Sequence, residues 1–135
     1  METTEPTSNL LRLPQQPHEL HKYYAAAFNT GDVEQVLRLF EPQAQFVSPA
    51  GTVHTGLAAI RAELAGYLRR GGTMRITTRL VLEFEGFALL RSEWELIYKH
   101  VPGQSVILRG EGLEVGRRQA NGVWQFVVDQ PFGPG

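Results

Sequence analysis

The chain has no cysteine, which excludes disulfides, a thiolate nucleophile and any metal site built on Cys. It also lacks an excess of charge: thirteen Lys and Arg stand against fourteen Asp and Glu, a net charge of −1. Only two of the cations are lysines, Lys22 and Lys99, and the arginines are scattered along the chain. Nucleic-acid and anionic-membrane binders need a basic stripe, so neither partner is expected. Long apolar runs are missing too. The longest, Tyr23 to Phe28, falls far short of the roughly 20 residues that span a bilayer. The opening Met-Glu-Thr-Thr-Glu-Pro is acidic with no apolar stretch behind it. No signal peptide is expected, and the location is read as cytoplasmic. Aspartate is scarce as well: Asp32 and Asp129 are the only two.

What remains is a chain of 135 residues, 42% hydrophobic and 20% charged, proportions that suit one soluble domain. Residues 1–16, rich in Thr, Pro, Ser and Gln, read as a flexible arm on which Leu10, Leu11 and Leu13 offer docking points. The domain itself is expected over 17–135. Pro17 suits a first helical turn, and Leu20, Tyr24, Ala27 and Phe28 share one face until Asn29-Thr30-Gly31 stops the helix. Asp32 with Gln35 three residues on has the layout of a capping box for a second helix, carried by Val33, Val36, Leu37 and Phe40 and ended by Pro42. A short strand over 44–48 and a third helix from Gly56 to the Gly71-Gly72 pair follow.

Beyond Gly72 the apolar period changes from 3.6 to 2. Strands are expected from Met74 to Phe84, Phe87 to His100, Ser105 to Arg118 and Val123 to Asp129, with tight turns at Glu85-Gly86 and Asn121-Gly122. Three helices followed by four long antiparallel strands make an α+β plan, with the helices covering one face of a strongly bent sheet. A hot-dog fold would need one long central helix, which Asn29-Thr30-Gly31 and Pro42 interrupt.

The stretch from Tyr24 to Gly51, with its Asn29-x-Gly31-Asp32 break and x-Pro49-x-Gly51 turn, resembles the first third of ketosteroid isomerases. More broadly, residues 18–133 resemble the nuclear-transport-factor-2-like superfamily, which includes the SnoaL-like polyketide cyclases. Gly56-x-x-Ala59-Ile60-Arg61, Trp94, Asn121-Gly122-x-Trp124 and Asp129-x-Pro131-x-Gly133 carry the rest of that likeness. The resemblance implies a cone-shaped, cystatin-like α+β barrel with an apolar pocket between helices and sheet. It implies a small apolar or aromatic ligand, no cofactor, and a homodimer through the outer face of the sheet.

Isomerases of that family use an Asp base and two hydrogen-bond donors, a Tyr and a neutral acid, around an enolate oxygen. Carried across, the donor Tyr falls on Tyr24, which either aims its hydroxyl into the pocket or packs as a core tyrosine. The base falls on Ser48, which cannot accept a proton at neutral pH without a base of its own, so true ketosteroid isomerisation is not expected. Ser48 is left as a ligand hydrogen-bond donor or a turn residue before Pro49. The neutral acid falls on Glu114, whose same-face neighbours Gly112 and Gly110 would leave room for a ligand. The alternative is an ion pair with Arg91 or Arg109.

Asp129, near the end of the last strand, is the candidate general base, forming an acid/base pair with Glu114 if both face inward; its alternative partners are Arg117, Arg118 or a backbone amide. Strand parity sets it opposite Trp124, Phe126 and Val128. It therefore enters the cone if that apolar row forms a dimer contact, the arrangement expected here; if the row is core, entry needs a bulge. Trp94 and His54 are candidate ligand contacts, His54 at the pocket mouth. If Trp94 faces inward, Glu93 and Glu95 face outward. His18 and His21 are placed on or near the polar side of the first helix. The four histidines make no metal-ligand spacing, so no metal site is expected. Two functions stay open: a cofactor-free isomerase, cyclase or dehydratase with Tyr24, Glu114 and Asp129 as catalytic groups, or a ligand-binding or dimerising module without turnover.

Overall fold

The computed structural model describes residues 10–101 and 103–133. Of the expected arm, residues 1–9 lie outside the described residues, whereas 10–16 run along the body. There the Pro14 carbonyl accepts from the Trp124 amide at 2.9 Å, and Arg38 donates to the Leu11 carbonyl at 2.8 Å. A 3-10 turn, Pro17–Glu19, leads into α1, Leu20–Asn29. The turn is held by the Glu19 carboxylate, which accepts from the amides of Gln15 and Gln16. Gly31, at φ 79°, supplies the left-handed residue that ends the helical stretch.

Asp32 caps α2, Val33–Leu37, by accepting from the Glu34 amide at 3.0 Å. This helix is shorter than its apolar spacing predicts. Sheet pairing takes over at Leu39, whose carbonyl accepts from the Phe126 amide at 2.7 Å, and Phe40 already belongs to β1, Phe40–Val47. Pro42 therefore lies inside a strand rather than at a helix end, where register shifts between Phe40 and Gln45 relieve it of a ladder hydrogen bond.

A short β2, Val53–Thr55, pairs back on β1, and α3, Leu57–Leu68, follows. Then come β3, Thr73–Phe84; β4, Phe87–Val101; β5, Gln104–Arg118; and β6, Trp124–Gln130. They join one six-stranded sheet in the order β2-β1-β6-β5-β4-β3. It is antiparallel except for β1 and β6, which run parallel, so the expected all-antiparallel sheet is corrected at that ladder. Bulges at Arg79 in β3 and Val127 in β6 add twist, and three helices cover the concave face of a curved, unclosed sheet. This is the cystatin-like α+β architecture. Helices and sheet share a core in which Leu20, Phe28, Val36, Leu39, Ile60 and Leu64 meet Leu90, Trp124 and Phe126.

Alternation along β4 puts Ser92, Trp94 and Leu96 inside and Arg91, Glu93 and Glu95 outside. On the outer face Arg79 pairs with Glu93 at 2.7 Å, and Leu82, Phe84, Phe87 and Leu89 are exposed at one end.

Candidate functional site

The helices do not fill the concave face of the sheet. A cavity remains whose atom-free space is about 590 Å3, its open mouth included, of which about 50 Å3 can be reached by the centres of water molecules. One water needs roughly 10–15 Å3 by that measure, so a small ligand or a few waters fit without rearrangement. Much of the wall is apolar, with Leu64, Met74, Ile76, Leu96, Leu108 and Phe132. The polar part of the lining is where His21, Tyr24, Ser92, Glu114 and Asp129 gather, Glu114 being bonded to both His21 and Ser92. Among the described residues no lysine or arginine lines the space.

Tyr24 comes from the apolar face of α1. Its ring packs edge-on against Phe40 and Phe126, with centroids 6.1 and 5.8 Å away. Burial first, then the charges of Asp129, Glu114 and Tyr67, hold its phenol well above the ordinary tyrosine range, so the hydroxyl is a donor. Glu114 comes from β5. Ser92 Oγ donates to its Oε2 at 2.9 Å, and its Oε1 lies 2.6 Å from His21 Nε2. The alternative partners from sequence do not meet it: Arg91 lies beside Glu111 on the outer face, at 3.9 Å.

Asp129 stands directly opposite Glu114 across the β5–β6 ladder. It enters the cavity, but by way of a bulge and not, as expected, because its apolar neighbours form a dimer contact. Val115 pairs with Val128 and Gly116 with Phe126, so Val127 is an extra residue in β6. That bulge lets Trp124 and Phe126 point into the core and Asp129 point the same way two steps later. The row containing Trp124 and Phe126 is thus core, not a dimer contact. Arg117, one expected partner of Asp129, instead pairs with Glu41. Among the described residues the Asp129 side chain has no hydrogen-bond partner. Burial, and then the charge of Glu114, push its carboxyl well above the usual carboxylate range.

The inward glycines serve the protein's own side chains rather than leaving room for a ligand. A Cβ on Gly110 would lie 2.5–2.8 Å from the Trp94 ring, and one on Gly112 would strike Glu114 Oε2 and Ser92 Oγ. Trp94 lines the cavity, donates from Nε1 to the Pro131 carbonyl at 2.6 Å, and meets Phe132 edge-on. The chain after β6 thereby becomes a wall of the site. Ser48 and His54 do not line it. Ser48 closes a turn by donating to the Thr52 carbonyl, and His54 sits 3.6 Å from Glu63. Glu63 in turn accepts from Tyr67, a cavity residue whose phenol is raised to about 12, mainly by burial.

His21 is the main residue that sequence reasoning misplaced. It is buried at the polar end of the cavity, not on the polar side of α1. The signal was its spacing, three residues before Tyr24 and seven before Phe28, which sets all three on one face. Ser92 was overlooked because a lone Ser in a strand carries no pattern. Among the described residues no cluster of metal-ligating side chains forms, and no helix is long and apolar enough to cross a membrane.

Three helices on a bent sheet, with polar groups clustered in an otherwise apolar cavity, define the class of cone-shaped pocket proteins. The chain belongs to the SnoaL-like domain family, whose family model matches residues 20–128. No curated protein matches it. Among solved structures it is similar to a ketosteroid isomerase-like protein from Erwinia carotovora atroseptica, at 19% identity and TM-score 0.71, over 85% of this chain and 92% of that one. It is similar as well to an NTF2-like protein with a cystatin-like fold from Novosphingobium aromaticivorans, at 18% identity and TM-score 0.72, over 84% and 76%. A putative calcium/calmodulin-dependent protein kinase type II association domain from Thiobacillus denitrificans aligns at 13% identity and TM-score 0.72, over 91% and 100%. At these identities the likeness is one of fold.

Proposed function

We propose that this chain is a cofactor-free enzyme that moves a proton on a small, largely apolar carbonyl compound, as an isomerase, cyclase or dehydratase. The observation that carries the reading is the Glu114–Asp129 register pair, two inward carboxyls in unequal surroundings. Asp129, without a partner and strongly desolvated, keeps its proton and donates it in a hydrogen bond to the substrate oxygen. Tyr24 is the second donor to that oxygen. Glu114 takes the proton from the carbon next to the carbonyl, so the two carboxyls exchange the roles that the sequence suggested, neutral acid for Glu114 and base for Asp129. The C–H bond breaks, its electron pair moves onto the carbonyl oxygen, and Tyr24 and Asp129 stabilise the enolate in a dry site. Return of that proton from Glu114 to another carbon gives an isomer; its delivery to a β-hydroxyl, with the enolate electrons expelling that group as water, gives a dehydrated product. Trp94, Phe132 and the aliphatic walls hold the apolar body of the substrate. A cytoplasmic location and a homodimer through the outer sheet face go with this reading, the latter supported by exposed Leu82, Phe84, Phe87 and Leu89.

Deuterium uptake from D2O into a panel of small enolisable ring ketones, followed by NMR, tests the reaction. Uptake that depends on the protein and falls by about 10²-fold or more in both Glu114→Gln and Asp129→Asn supports it. A ketone that binds without uptake supports the second reading, a binding module without turnover. One observation favours that alternative: Ser48 replaces the base of the family's isomerases, and its hydroxyl is turned toward Thr52.

A further inference from the structure

His21 and Thr78 have no part in the reaction as written. Yet both ring nitrogens of His21 are engaged: Nε2 at 2.6 Å from Glu114 Oε1, and Nδ1 at 2.7 Å from Thr78 Oγ1. Two lone pairs cannot face each other at 2.6 Å, so one proton lies in the Nε2–Oε1 contact. The Thr78 hydroxyl is both donor and acceptor. It donates when Nδ1 is bare and accepts when Nδ1 carries a proton, by rotation of one hydrogen. His21 can therefore hold one proton or two without losing either hydrogen bond.

The titratable groups facing this ring are few. Tyr24 follows it on α1, Glu114 reaches it from β5, and Asp129 from β6 and Tyr67 from α3 line the same cavity. From β3 the Thr78 hydroxyl reaches the ring, Ser92 of β4 holds the other oxygen of Glu114, and Phe126 covers one side with its centroid 6.4 Å away. Two neighbouring carboxyls in an apolar cavity resist bearing two negative charges, so a single charge settles where donors are provided. Glu114 is where donors can be provided: Ser92 donates to one oxygen, and His21 donates to the other whenever Nε2 carries the proton.

We propose that His21 is the positioning residue that divides the labour between the two carboxyls, holding Glu114 as proton acceptor and leaving the acid hydrogen on Asp129. This rests on the acid/base reading above, and it makes that reading directional: the strand residue bonded to His21 is the base. Thr78 lets His21 adjust its own protonation as Glu114 gains and loses the substrate proton.

Carboxyl carbon NMR of protein labelled at Asp and Glu tests this without a substrate. At neutral pH the wild-type spectrum should show the proton on Asp129 and not on Glu114. In His21→Phe, Glu114 takes up a proton and the Asp129 titration midpoint falls by about one pH unit or more, because its charged neighbour is gone. In His21→Gln, whose side-chain amide can still donate to Oε1, the wild-type order returns. A wild-type proton on Glu114 overturns the inference, whether or not His21→Phe folds. So does an unmoved Asp129 midpoint in a folded His21→Phe. Missing deuterium uptake alongside the stated proton order sinks the enzyme reading instead and leaves this one standing.

Discussion

Glu114 and Asp129 face each other across the β5–β6 ladder, and both turn their carboxyls into one apolar cavity. A buried acid whose folded-state value is raised binds its proton more tightly when folded than when unfolded. Stability then falls with rising pH, starting near the unfolded carboxylate value of about 3.9 and continuing until the raised folded value is passed. The slope approaches about 1.4 kcal/mol per pH unit inside that window. Asp129→Asn removes the term, so the variant gains on wild type as pH rises from about 4 toward neutrality. Urea midpoints measured across that range check it, and parallel curves for the two proteins would contradict it.

Two glycines should respond to alanine with opposite signs. Gly112→Ala drives a methyl into Glu114 and Ser92 at the polar end of the cavity, and should cost about 1–3 kcal/mol. Gly66 lies inside α3, where a new Cβ would meet only the Arg69 side chain at 3.9 Å. Gly66→Ala should stabilise by about 0.5–1 kcal/mol through helix propensity. Denaturant unfolding of both variants measures the contrast.

Trp94→Phe keeps a ring over Gly110 but removes the donor to the Pro131 carbonyl. A loss of about 0.5–1.5 kcal/mol is expected. The local consequence is more specific. The Gly133 amide, bonded to the Gln130 carbonyl, should exchange with solvent faster, while amides in the α1 interior keep wild-type rates.

Glu41, in β1, accepts from Arg117 and from Gln119 Nε2 at 2.6 Å. The Arg117 hydrogen bond, only partly opposed by burial, holds its carboxyl below the usual glutamate range. A lowered folded-state value adds stability above the unfolded glutamate value of about 4.3, and that stability disappears as pH falls through the folded value. Arg117→Met should lower the thermal midpoint at pH 6 and leave it near that of wild type at the acid end. A uniform drop at all pH values would point to lost packing on Phe87, over which the Arg117 guanidinium lies at 5.3 Å.

The stop at Asn29-Thr30-Gly31, the Asp32 cap, the change of period after Gly72 and the tight turns at Gly86 and Gly122 were legible in the chain. Each depends on backbone chemistry within a few residues: a positive φ at glycine, or a side-chain oxygen facing a free amide. The inward face of α1 that carries Tyr24 was legible for the same reason. Its share of His21 was equally available in the spacing, but a histidine beside Lys22 reads as polar until its partner is known.

That partner lies 93 residues away, and Thr78 lies 57 away. Nothing local to Asp129 announces the extra residue at Val127; the bulge exists because β6 must pair with β5 on one side and with parallel β1 on the other. The sequence by itself determined where helices begin and end and which residues alternate along each strand, because those depend on near neighbours. Only the tertiary structure decided that α2 gives way to β1, that Asp129 turns inward and that Glu114 meets a histidine instead of an arginine. Those outcomes are set by strand register and helix docking, which join side chains from distant parts of the chain.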